Sequence, residues 1–342
     1  MQLWRSAGLP TMVFRRCHKE NVMQENVMGD TVLILGANGR LGRTLVDAFA
    51  ASGWTVLAQA RRPLAGTVRH NVRGLAIDVA DSAQLLAAAR GASVVVNALN
   101  PVYTEWERHA EALARSAMDV ARSLDALLLF PGNVYNFGES MPPRLRPDTA
   151  ERPSARKGEI RRAIEATMRE RAPALRSVII RAGDFFGGPG RGAWMDLAIA
   201  KSLDQGKVVY PGPRDRAHAW AYLPDLAQAF VAVARRHADL RGHAVLHFAG
   251  YTLTGDELVS ALAEASGMAH APRVGGMPWW LIRTGGAVVP MWRALAEMAY
   301  LWKVPHALDG AALEALVGDL PRTPLPQALR ASLGELGLRV AA

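Results

Sequence analysis

Apolar residues along this chain alternate between short unbroken runs and runs spaced three and four apart, the two periods of strand and helix. Thr31 to Leu35 (TVLIL) predicts a strand. Leu41, Leu45, Val46, Phe49 and Ala50 then fall on one helical face that Gly53 ends, and Trp54 to Ala60 predicts a second strand. Further strands are predicted at Gly74 to Ile77, Ser93 to Asn97, Ala126 to Phe130 and Arg176 to Arg181. Helices fill the intervals at Ser82 to Ala89, Glu105 to Leu124 and Lys157 to Arg171.

Strands that read as continuous apolar runs, each followed by a helix, indicate a parallel sheet covered on both faces. The predicted fold class is therefore α/β, a doubly wound (Rossmann) sheet. From Gly183 the pattern changes to short strands, Gly/Pro-rich loops and several helices, which predicts a smaller C-terminal substrate lobe. The expected division is a disordered N-terminal extension over 1–29, a dinucleotide-binding domain over 30–182 and a substrate lobe over 183–342. Part of the lobe, about 218–238, is expected to return to the first domain. Gly187 to Gly192 is the strongest candidate for a flexible loop.

Between the first strand and helix stand Gly36, Gly39 and Gly42, each three residues from the next. Such a turn lets backbone N–H groups at a helix N-terminus approach a pyrophosphate. Gly36, Asn38, Gly39, Arg40, Leu41 and Gly42 are accordingly assigned to a dinucleotide. The second strand ends in Arg61-Arg62 with no acid beside it, which favours the 2′-phosphate of NADP over the free hydroxyl of NAD, with Arg40 as a second phosphate partner. Asp78 and Val79 after the third strand, and Asn97, Ala98 and Leu99 after the fourth, would line the same cleft.

These residues lie in GANGRLG (36–42), NALNP (97–101), NVYNFG (133–138), RAGDFFG (181–187) and AYLPDLAQAF (221–230). With them the chain resembles the extended short-chain dehydrogenase/reductase, or NAD-dependent epimerase/dehydratase, family over about residues 30–335. The resemblance implies a nicotinamide cofactor, a homodimer and a catalytic Ser/Thr, Tyr and Lys. The Lys falls on Lys157. The Tyr position falls on Pro153 and the Ser/Thr position on Pro131, and neither side chain can carry a proton. Tyr135, Tyr103, Ser154 and His109 are the substitutes within reach, and Tyr135, at the end of the fifth strand, is the best placed. The string RKGEIRRAIE (156–165) is similar to that of an atypical branch with poorly defined reactions.

Composition narrows the remaining classes. A single cysteine, Cys17, rules out an internal disulfide framework and fits a reducing cytoplasmic compartment. The nine histidines form no zinc-type spacing, His243 and His247 reading as strand residues, so no metal is predicted. The formal charge of +9 is spread over pairs such as Arg61-Arg62, Arg161-Arg162 and Arg235-Arg236, which argues against nucleic acid as a partner. Met12, Met23 and Met28 are alternative starts, and no signal-peptide core precedes them. Pro278 to Val304 is rich in Trp and Leu but interrupted by Arg283, Arg293, Glu297 and Pro290. It reads as two consecutive helices with large buried faces rather than a transmembrane span, a peripheral membrane contact and an apolar substrate wall being the other readings. Trp194, Trp220, Trp279, Trp280 and Trp292 could wall an apolar pocket or fill a helix core. The reading is an NADP-dependent oxidoreductase or epimerase/dehydratase-like enzyme acting on a small molecule, the alternative a dinucleotide-binding sensor that has lost its chemistry.

Overall fold

A computed structural model describes residues 30–64 and 69–338. Cys17 and the readings of 1–29 lie outside the described residues. The N-terminal half runs β1 (Thr31–Leu35), α1 (Arg40–Ala51), β2 (Thr55–Ala60), β3 (Val72–Ala76), α2 (Ser82–Ala88), β4 (Val94–Asn97), α3 (Trp106–Ser123), β5 (Leu127–Gly132), β6 (Arg144–Leu145), α4 (Arg156–Glu170) and β7 (Ser177–Arg181). The remainder runs β8 (Asp184–Phe186), β9 (Lys207–Tyr210), β10 (Ala217–Tyr222), α5 (Leu223–Ala234), β11 (His243–His247), β12 (Tyr251–Thr254), α6 (Gly255–Ser266), β13 (Arg273–Gly276), α7 (Trp279–Gly285), α8 (Pro290–Glu297), β14 (Ala307–Leu308), α9 (Ala311–Val317) and α10 (Leu325–Glu335).

Seven strands form one parallel sheet in the order β11-β7-β5-β4-β1-β2-β3. The order reverses at β1, and the registers Leu35↔Gln59 and Leu35↔Asn97 bring three strand ends side by side there. Both faces are buried. Val32, Ile34, Val94, Val96, Leu127 and Leu129 pack with Leu45 and Phe49 of α1 and with Phe230 of α5, while Leu33, Leu35, Val95 and Leu128 pack with Met118 of α3 and Ile160 of α4. Continuous apolar strands are what such two-sided burial requires.

The sheet's outer strand, β11, comes from residues 243–247, beyond the segment expected to return. Its histidines bond protein partners: half-buried His243 Nδ1 lies 2.8 Å from Ser177 Oγ and buried His247 Nδ1 lies 3.1 Å from the Leu145 carbonyl. The C-terminal lobe carries the small sheet β12-β10-β8 and a separate core of Phe186, Tyr210, Trp220, Leu262, Trp302 and Leu329. Trp194 contacts Trp279 and Trp302 there, and Trp292 packs on Gly285, so these rings fill a helix core. Trp280 does neither; it is 71% exposed.

Candidate active site

The glycine turn is built by backbone packing. Gly36 takes φ +79°, and a Cβ there would lie 2.8 Å from the Ala98 carbonyl oxygen; one on Gly42 would lie 2.2 Å from that of Gly36. Gly39 is the N-cap of α1 and no side chain caps the helix, so the first-turn N–H groups at Arg40, Leu41 and Gly42 have no side-chain partner. This cradle fits a dinucleotide pyrophosphate. Sequence reasoning missed Gln59, whose Oε1 accepts the Gly36 N–H at 3.0 Å while its amide donates to the Ile77 carbonyl at 2.6 Å. The available signal was a lone polar residue in an otherwise apolar strand.

Around the cradle the other assigned residues divide. Asn38 donates to the Arg62 and Pro63 carbonyls at 3.0 and 3.2 Å, tying the exposed Arg61-Arg62 segment to the glycine turn. Asn97 is buried and accepts the Leu99 N–H at 3.2 Å, which shapes the 97–99 loop against Gly36. Val79 is buried, whereas Asp78 is exposed and accepts the Ala80 N–H at 2.9 Å. Arg40 departs from its expected part as a phosphate partner. Its guanidinium pairs with the buried Asp196 at 2.7 Å and donates to the Gly187 carbonyl at 2.9 Å, because the C-terminal lobe offers a desolvated carboxylate there.

Lys157 stands in the first turn of α4 and is 5% exposed. Its ammonium lies 2.6 Å from Glu297 Oε2 and its backbone N–H 2.8 Å from Glu297 Oε1. The same ammonium sits 4.6 Å from the centre of the Tyr103 ring. Tyr103 and Tyr135 both lie against Trp106, with ring centroids 6.3 and 6.2 Å from that of the indole. Burial first, with the Asp184 carboxylate adding to it, pushes the Tyr135 phenol well up; burial and Tyr135 do the same to Tyr103. The structure thus brings Lys157 to Glu297 and to the face of Tyr103.

Arg161 and His218 flank this cluster. Arg161, one turn beyond Lys157, donates to the carbonyl of Pro131 at 3.0 Å, and its guanidinium lies 4.9 Å from the Trp106 ring. Desolvation lowers its affinity for a proton, and the Tyr135 field acts in the opposite sense. His218 Nε2 lies 2.8 Å from Asp184 Oδ2, and its ring stacks on Trp302 at 4.3 Å. Glu297, Arg161, Asp184 and His218 were not singled out from sequence. Only Arg161 left a trace there, sharing the Lys157 helix face one turn on. His109 is exposed, with its imidazole 3.8 Å from Glu105, and Ser154 Oγ accepts the Glu139 N–H. Among the described residues no group of His, Cys, Asp and Glu could hold a metal.

The model of the NAD dependent epimerase/dehydratase family matches residues 32–246, from the first strand of the sheet to its last. The chain belongs to this family. No curated protein matches its sequence. Solved structures share the family fold at low identity. One is MoeE5 in complex with UDP-glucuronic acid and NAD, 21% identical with a TM-score of 0.69 over 90% of this chain and 98% of that one. Another is a putative epimerase from Burkholderia cenocepacia, 17% identical with a TM-score of 0.71 over the same shares. UDP-glucose 4-epimerase from Brucella ovis in complex with NAD is 16% identical, with a TM-score of 0.70 over 91% of this chain and 100% of that one.

Proposed function

We propose that this family member is a cytoplasmic, NADP-preferring epimerase/dehydratase-like enzyme with a small-molecule substrate, in which Lys157 rather than a Tyr/Lys pair organises proton transfer. The observation that carries the reading is the buried Lys157, held by the Glu297 carboxylate and set 4.6 Å from the centre of the Tyr103 ring.

The cradle at Gly36, Gly39 and Gly42 binds the pyrophosphate, the 97–99 loop lines the cleft, and Arg61 and Arg62 meet the 2′-phosphate. Bound dinucleotide supplies a hydride acceptor or donor at its nicotinamide. Lys157 holds the nicotinamide ribose. Tyr135 and Tyr103, kept protonated by burial, donate a hydrogen bond to a reacting oxygen, and the Glu297 carboxylate is the proton acceptor nearest the ammonium. UDP-sugars are the first substrates to test, since the MoeE5 complexes contain UDP-glucuronic acid or UDP-glucose with NAD.

Incubation with NADPH or NADP and a panel of aldehydes, ketones and nucleotide-sugars tests the reading. Turnover abolished by Lys157→Ala supports it. The proline residues at 131 and 153 favour a second reading, a dinucleotide-binding sensor, and tight cofactor binding without turnover over the whole panel would select it.

A further inference from the structure

Large apolar side chains are rarely exposed among the described residues, and four of the six that are lie in one helical hairpin: Trp280 (71%), Leu281 (41%), Val288 (82%) and Met291 (40%). The hairpin is anchored. Ile282 and Ala294 are buried on its inner side, and Trp279 Nε1 donates to the Pro211 carbonyl at 2.5 Å. Trp292 lies against Gly285, and Arg293 donates to the Gly286 and Ala287 carbonyls at 3.0 and 3.2 Å, which fixes α8 to the end of α7. Its outward apolar residues are therefore presented by a held structure.

Charge on the hairpin itself is one-sided, and the carboxylates of Glu139 and Glu297 line only the depression beside it. Between Glu264 and Glu297 the sequence contains no Asp or Glu, while Arg273, Arg283 and Arg293 are exposed and Lys303 follows, also exposed. None of these four takes part in a salt bridge among the described residues. Exposed Trp, Leu, Val and Met on a hairpin whose exposed charges, Arg283 and Arg293, are both cationic match the interface of an anionic bilayer, where apolar groups enter the acyl boundary and cations meet lipid phosphates. A second copy of the same face is a poor match. A two-fold contact would bring Arg283 and Arg293 of both copies into one interface with no acidic residue between 265 and 296 to pair them.

We propose that the α7–α8 hairpin is a docking surface for an anionic membrane, lying on it without crossing it. No described helix is long and apolar enough to span a bilayer, and α7 and α8 have only seven and eight residues. The docking face borders the candidate active site. α8 ends at Glu297, the partner of Lys157, and a depression of about 290 Å³ beside the hairpin is lined by Arg283, Glu297, Tyr300 and Lys303.

Co-sedimentation of the full chain with phosphatidylcholine vesicles, with and without about 30% phosphatidylglycerol, tests the proposal. The expected result is binding to the anionic vesicles alone, weakened by salt, with a blue shift in tryptophan emission that Trp280→Ser removes. Trp280→Ser combined with Val288→Asp should reduce the bound fraction about tenfold at unchanged melting temperature, and Arg283→Glu should weaken binding further. No binding to anionic vesicles at low salt overturns the proposal, as does binding that the double variant retains. A stable dimer dissociated by Val288→Asp overturns it too, because the face is then a contact between copies.

Discussion

Glu297 grips Lys157 twice, accepting its backbone N–H at 2.8 Å and its ammonium at 2.6 Å, from a helix 140 residues away in sequence. Ala155, the N-cap of α4, offers no side-chain cap, so the carboxylate satisfies an orphan donor at the positive end of the helix as well as a buried charge. One contact thereby fastens the C-terminal lobe to the helix that carries Lys157.

Removing one partner of such a buried pair leaves the other desolvated and unpaired. Glu297→Ala should lower the unfolding free energy by about 3 kcal/mol in denaturant titrations. In a double-mutant cycle with Lys157→Ala, the coupling should exceed about 1 kcal/mol. Additive effects would show that the pair contributes no mutual stabilisation.

The glycine turn separates stability from binding. Gly36→Ala places a side chain at φ +79° against the Ala98 carbonyl and should destabilise the fold by about 2 kcal/mol. A Cβ on Gly39 meets the Gly36 carbonyl oxygen at 3.2 Å and that of Ala98 at 3.9 Å, a looser fit than at Gly36. Gly39→Ala should therefore weaken dinucleotide binding about tenfold in calorimetry, or ~1.4 kcal/mol, with a smaller loss in melting temperature.

Arg61 and Arg62 are exposed, tied to the turn through Asn38, and the nearest cations to the end of β2. NADPH should bind more tightly than NADH, and replacing both arginines by Ala should narrow the difference by one to two decades, about 1.5–3 kcal/mol. Equal affinities in the unaltered protein would refute the preference.

Burial holds His247 and His306 neutral, their proton affinities lowered from 6.5 to about 4 and about 3. The unfolded chain binds those protons more readily, so stability is complete above about pH 6.5 and declines as pH falls toward 4. Urea midpoints across that window should fall steeply with acid. His247→Gln, which keeps a donor for the Leu145 carbonyl, should flatten the slope; an unchanged slope would assign the loss to other groups.

Period alone made the sheet and its covering helices legible, since a strand buried on both faces must be apolar throughout and a helix packed on it must be apolar at every third or fourth position. Gly36, Gly39 and Gly42 were equally legible, and at Gly36 and Gly42 the close backbone approach leaves no room for a side chain. Gln59 left a weak signal, a polar residue in an apolar strand. Glu297, Asp184 and His218 left none, as their pairings join segments brought together only by the packing of the C-terminal lobe on the sheet.

The sequence by itself determined the doubly wound sheet, the glycine turn after its first strand and the prolines at 131 and 153, each a matter of local period or residue type. Only the tertiary structure decided that Arg40 turns to Asp196, that Lys157 is held by Glu297 and that Trp280 faces outward while Trp194, Trp220 and Trp279 turn inward. A charge or an aromatic ring has no fixed partner in sequence. Its role follows from which desolvated neighbour the fold brings within contact.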